Sequence, residues 1–165
     1  MKIDFKTCTE EELWKYVATF LKKNGIDTVL VGGAVVSIYS DGVYRSGDLD
    51  FVKLDMFEKK IPKAMEELGF LKYSQRHYKH PECSHLFIEF PSSFLEIGED
   101  NQITPDEVEV EGEIIKILSP TDCVKDRLAS YIHFDARECL DQAVLVAKKH
   151  PVKLKEIRKW CEGEK

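Results

Sequence analysis

Residues 29–54 read VLVGGAVVSIYSDGVYRSGDLDFVKL, and no other stretch constrains the fold as much. An apolar run, Val29–Val31, stops at two glycines, and an acid pair, Asp48 and Asp50, opens a second apolar run. Glycine and aspartate are both unfavourable inside strands. The pattern therefore predicts a short buried strand, a tight turn, a short helix over AVVSIYS and a second strand over DLDFVKL. Residues i and i+2 of a strand face the same side, so Asp48 and Asp50 project together while Leu49 and Phe51 turn into a core. Two like charges this close repel unless a cation lies between them. Mg²⁺ favours a few carboxylates together with substrate phosphate oxygens, which such a pair can supply. Bare glycines before a helix let a phosphate approach backbone N–H groups. Ser37 lies one turn further on.

The flanking segments predict alternating helices and strands. TEEELWKYVATFLKKNG carries Thr9 as a cap, Glu12 three residues later, an apolar stripe of Leu13, Val17, Phe20 and Leu21, and Gly25 as a terminator. FEKKIPKAMEELG is a second helix, with Pro62 in its first turn and Gly69 at its end. FLKYSQ, HLFIEF, FLEI and EIIKIL are predicted strands, with PSS and GEDNQITPDE as loops between them. After Leu118 only helices are expected. Ser119 caps the first, Pro120 takes its first position, and breaks fall near Phe134–Asp135 and at Pro151. The expectation is an α+β fold, a mixed sheet flanked by helices. A core over 1–118 would carry a helical segment over 119–165, packed on it as one compact unit.

Composition narrows the function. The 165 residues suit one domain, and 43% hydrophobic content supports a core. A net charge of -6 argues against a protein that coats nucleic acid through its surface field. No apolar run reaches membrane-spanning length, and the opening residues lack the apolar stretch of a signal peptide. Five scattered cysteines, odd in number and without a C-x-x-C, point to reduced thiols and a cytoplasmic location. There is no P-loop signature and no nucleophile elbow.

The glycine pair and the D-x-D motif, read as LVGG…SGDLDFV with fourteen residues between Gly33 and Asp48, resemble the nucleotidyltransferase superfamily of the DNA polymerase β type. Arg45 and Ser46 fit as well, since a basic residue and a Ser or Thr often precede the acid pair in minimal members. The resemblance implies a third carboxylate on a neighbouring strand. Glu89 in FIEF and Glu96 in FLEI both offer one, and Glu89 is preferred because apolar residues flank it on both sides. Many members carry Asp at that position.

The tail is similar to the helical segment of small nucleotidyltransferase-like proteins related to abortive-infection toxins. It places Lys125 and Arg127 near a triphosphate, and Arg137 and Asp141 at i, i+4. By this resemblance the chain would transfer an NMP from an NTP to an unknown acceptor, with tRNA or protein as candidates. Asp48, Asp50 and Glu89 would hold Mg²⁺ or Mn²⁺, and Gly32, Gly33, Ser37, Arg45, Lys125 and Arg127 would line the nucleotide. A catalytically degenerate nucleotide- or partner-binding module, or a toxin–antitoxin component of the same fold, are the alternatives. His77, His80, Cys83 and His85 fall within nine residues, but their spacing matches no closed zinc finger, and a loop between two strands is expected there.

Overall fold

The structure, a computed structural model, describes residues 1–100 and 102–164; Asn101, in the expected GEDNQITPDE loop, and Lys165 lie outside them. Helix α1 (Glu10–Lys23) begins where the sequence places it. The Thr9 hydroxyl accepts from the Glu12 N–H, and the Glu12 carboxylate accepts from the Thr9 N–H. Three glutamates in its first turn and two lysines in its last complement the helix dipole. Asn24 and Gly25 close the helix, Gly25 at φ +76°.

The chain then runs through β1 (Thr28–Val31), α2 (Gly33–Tyr39) and β2 (Asp48–Lys53). These are followed by α3 (Ile61–Glu67), β3 (Leu71–Lys72), β4 (His77–Lys79) and β5 (Phe87–Glu89). A hairpin of β6 (Asp106–Val110) and β7 (Glu113–Ile117) leads into three helices, α4 (Pro120–Phe134), α5 (Arg137–Lys149) and α6 (Leu154–Gly163).

Among the described residues the strands form one mixed sheet in the order β3-β4-β5-β2-β1-β7-β6. Strand β1 is antiparallel to β2 and parallel to β7, while β2 is parallel to β5. Leu30, Leu49, Phe51 and Ile88 are completely buried at its centre. Each such side chain contributes about 1.5–3 kcal/mol by leaving water. The C-terminal helices share this core, because Cys123, Val124, Ala143, Val146 and Ile157 belong to the same buried cluster. Two polar ties fix α5 to the end of α2: the Lys149 ammonium donates to the Ser40 carbonyl at 3.1 Å, and the His150 Nε2 meets the Tyr39 carbonyl at 2.8 Å.

Four local expectations are corrected. FLEI forms no strand: Pro91 ends β5, Ile97 makes only an isolated bridge to Asp100, and Phe94 and Glu96 are exposed. HYK, expected in a loop, is the strand β4; only Tyr78 is buried there, and its basic neighbours hide the alternation. Asp106–Val110, partly assigned to a loop, is the edge strand β6, whose acids face solvent. The helix at FEKKIPKAMEELG is shorter than expected, starting at Ile61. Among the described residues, no helix is long and apolar enough to cross a membrane.

Candidate functional site

Strand β2 carries Asp48 and Asp50 on one face, with Leu49 and Phe51 buried on the other. The parallel pairing with β5 sets Asp48 beside Phe87 and Asp50 beside Glu89. Side chains at paired positions share a face, so three carboxylates converge. An oxygen from each of Asp48, Asp50 and Glu89 lies within 4.8 Å of the other two. Glu96 is absent from this group and sits on the exposed loop after β5.

The arrangement is electrostatically uncomfortable without a cation. Burial, then the Asp48 charge, then hydrogen bonding to Glu89, push the Asp50 carboxyl up to about 8. One of its oxygens, Oδ1, is buried without a hydrogen-bond partner. An orphaned buried oxygen within a cluster of three hard oxygen donors fits a small divalent cation of the Mg²⁺ class.

The glycine turn meets the same carboxylate. Val31 pairs with Asp50 across β1 and β2, so the chain turns immediately above the acid. Gly32 has φ +78° and ψ -157°, a region that only glycine adopts without strain. A Cβ at Gly32 would collide with the Asp50 carboxylate. Gly33 has the opposite surroundings: its Cβ would come within 3.2 Å of the Tyr44 hydroxyl and 3.3 Å of the Ser46 hydroxyl.

The segment before β2 is fixed from below. The buried Glu10 carboxylate accepts from the Ser46 N–H at 2.9 Å and from the Arg45 guanidinium at 3.3 Å. The Ser46 hydroxyl then donates to the Asp48 carbonyl at 2.8 Å. Glu10 and Tyr44 are contributors that the sequence reading missed. Glu10 reads there as one more acid in a helix start, and Tyr44 as a loop aromatic.

The remaining expected residues separate into two groups. Arg127 is mostly buried and held by Asp126, with Nη2 at 2.6 Å, and by the Gln142 side-chain amide oxygen at 3.3 Å. Its charge acts on both Asp50 and Tyr44, pulling each carboxyl or phenol down against the upward effect of burial. Lys125, two residues earlier, points elsewhere, since i, i+2 positions of a helix do not share a face. Its buried ammonium is surrounded by Glu156 at 3.1 Å and by Asp122 and Asp100 at 3.7 Å each. Lys125, expected at a triphosphate, thus has its ammonium among these three acids.

Ser37 and Arg45 line a separate cavity of about 270 Å³ with Thr9, Glu10 and Asp41. Arg137 and Asp141 form no ion pair among the described residues. His77 gains a neighbour that was not anticipated: its Nε2 lies 3.6 Å from Glu89 Oε1, while its Nδ1 meets the Ser74 hydroxyl at 2.6 Å.

No family model matches the chain, and no curated protein matches it either. Solved structures do. An antigenic nucleotidyltransferase-like protein from Paracoccidioides brasiliensis aligns over 83% of this chain and 74% of its own, with a TM-score of 0.60 and 19% identity. The antibiotic-resistance factor ANT(2'')-Ia aligns over 93% of this chain and 91% of its own, with a TM-score of 0.58 and 14% identity. The lincosamide antibiotic adenylyltransferase LnuA, solved with lincomycin bound, aligns over 84% of this chain and 98% of its own, with a TM-score of 0.51 and 16% identity. The fold is therefore nucleotidyltransferase-like: a mixed sheet flanked by helices, with a C-terminal helical segment.

Proposed function

We propose that the chain is a metal-dependent nucleotidyltransferase, moving a nucleoside monophosphate from an NTP to an acceptor hydroxyl. The observation that carries this reading is the β2–β5 register, which sets Glu89 beside Asp50 and completes a three-carboxylate cluster. Asp48, Asp50 and Glu89 would hold Mg²⁺ or Mn²⁺. When bound, the ion would offset the charge of the phosphates and of the acceptor oxygen.

The chain's own residues account for the rest. The Gly32–Gly33 turn leaves a side-chain-free surface above Asp50, over which the phosphates lie. Arg127, preorganised by Asp126 and Gln142, supplies a fixed positive charge near the carboxylates. Glu89 orients the acceptor hydroxyl and takes its proton as the new oxygen–phosphorus bond forms and the bond to the pyrophosphate breaks. Glu10 and Ser46 hold the start of β2 in place, so that the carboxylates are positioned before substrate arrives. The ANT(2'')-Ia and LnuA neighbours make a small hydroxyl-bearing molecule an acceptor class to test alongside tRNA and protein.

The test is incubation of the protein with NTPs labelled at the α-phosphate, Mg²⁺ or Mn²⁺, and each acceptor class in turn. Label should reach an acceptor with wild type and not with Asp50→Asn. Absence of transfer to every class, with nucleotide binding intact, would overturn the enzymatic reading.

A further inference from the structure

A second cluster of metal-ligating side chains lies outside the carboxylate site. Cys8 precedes α1, and Cys83 and His85 sit in the connection between β4 and β5. The fold brings them together so that one ligand atom from each is within 4.8 Å of the other two. Both cysteines are fully buried, while His85 reaches the surface.

The histidine is oriented in a particular way. Its Nε2 lies 2.7 Å from the Cys8 backbone carbonyl. A carbonyl can only accept, so Nε2 carries the proton of the neutral ring. The lone pair is then on Nδ1, which faces the Cys83 sulfur at 3.8 Å. Donation of one ring N–H to a carbonyl, with the other nitrogen turned toward further ligands, is how metal-binding histidines are usually held. Sulfur and imidazole donors select borderline-soft ions, unlike the oxygen donors of Asp48, Asp50 and Glu89.

We propose that Cys8, Cys83 and His85 bind a thiophilic divalent cation of the Zn²⁺ class through two thiolates and one imidazole. Three protein donors leave the fourth position of a tetrahedral ion to water or to an added ligand. Each thiol releases its proton to solvent as its metal–sulfur bond forms, and nothing is oxidised or reduced. The ion would tie the segment before α1 to the loop that feeds β5.

Titration of the reduced, full-length protein with Co²⁺ tests the site, followed by Zn²⁺ competition against a chromophoric chelator. Binding should produce a thiolate-to-cobalt charge-transfer band in the near ultraviolet, saturating at a single equivalent and displaced by Zn²⁺. Cys8→Ser and Cys83→Ser should abolish the band. His85→Gln, at an exposed position, should weaken Zn²⁺ binding by about tenfold or more. Cys161→Ser and the Asp48→Asn, Asp50→Asn double variant should keep the band, because oxygen ligands give none. A reduced wild type without the band would overturn the proposal. So would a band that survives Cys8→Ser, or unchanged Zn²⁺ affinity in His85→Gln.

Discussion

Asp50 on β2 and Glu89 on β5 occupy paired positions of a parallel ladder, and Asp50 is the acid that burial, the Asp48 charge and this proximity together push up to about 8. Its value in an unfolded chain is near the ordinary 3.8. The folded state thus holds this proton more tightly than the unfolded state. The associated stability is fully present below the unfolded value and is lost as pH rises toward and through the folded one. The melting temperature of the metal-free protein should therefore fall between about pH 4 and about pH 8, relative to Asp50→Asn, which should lack this component. Mg²⁺ with NTP should raise the melting temperature most at the alkaline end, where the carboxylate is ionised. Thermal scans of both proteins over that range, with and without the ion, measure the difference.

Glu89→Gln keeps the size of the side chain and removes its charge. Loss of a group that takes a proton in the transition state costs about 10²–10⁴-fold in rate. Transfer should drop by that order while NTP affinity changes little, a pattern expected for an interaction made mainly in the transition state. Single-turnover rates set beside equilibrium NTP binding will separate the two effects.

Gly32→Ala should be worse than Gly33→Ala. At position 32 the methyl group meets the Asp50 carboxylate, and φ +78° strains any side chain, at a cost of about 1 kcal/mol or more. At position 33 the backbone is unstrained and the methyl group meets the Tyr44 and Ser46 hydroxyls at 3.2 and 3.3 Å, which need to give by only a few tenths of an ångström. A larger Gly33→Val should displace Tyr44 and Ser46 and reduce nucleotide affinity more than stability. Denaturant midpoints and NTP titrations of the three variants check this ranking.

Arg127 and Lys125 should respond oppositely. Arg127→Met removes the cation beside the carboxylates, and hydrogen bonds to charged groups are worth about 1.5–3 kcal/mol, so NTP binding should weaken by roughly tenfold or more. Lys125→Met leaves buried Asp122 without its nearest cation and should cost about 1–3 kcal/mol of stability with NTP affinity unchanged. Calorimetric binding and chemical denaturation of each variant report the two effects separately.

The centre of the site was legible because it is local. Gly32, Gly33, Asp48 and Asp50 fall within one strand–turn–helix–strand unit, and strand periodicity alone put both aspartates on one face. Glu89 over Glu96 was also readable, since Pro91 confines the strand to the earlier residue. What lay beyond reach depends on contacts between distant segments. Glu10 fixes Ser46 across thirty-six positions, and Cys8 and Cys83 are brought together only by the tertiary fold. The mutual spacing within RHYKHPECSH cannot show the Cys83–His85 cluster, because its third member, Cys8, comes from before α1. Lys125 and Arg127 are equivalent cations in KDRL, and only the helix turns them to different sides.

The two ends of the sheet bear on how the protein behaves in a crowded solution. Edge strand β6 exposes Asp106, Glu107 and Glu109, and the opposite edge, β3, is only two residues long. A neighbouring copy that docked β6 against β6 would bring two acidic rows into register, and β3 offers too few backbone groups to template an added strand. The sheet is thereby guarded at both margins against growth into fibrils, by charge repulsion at one and by brevity at the other.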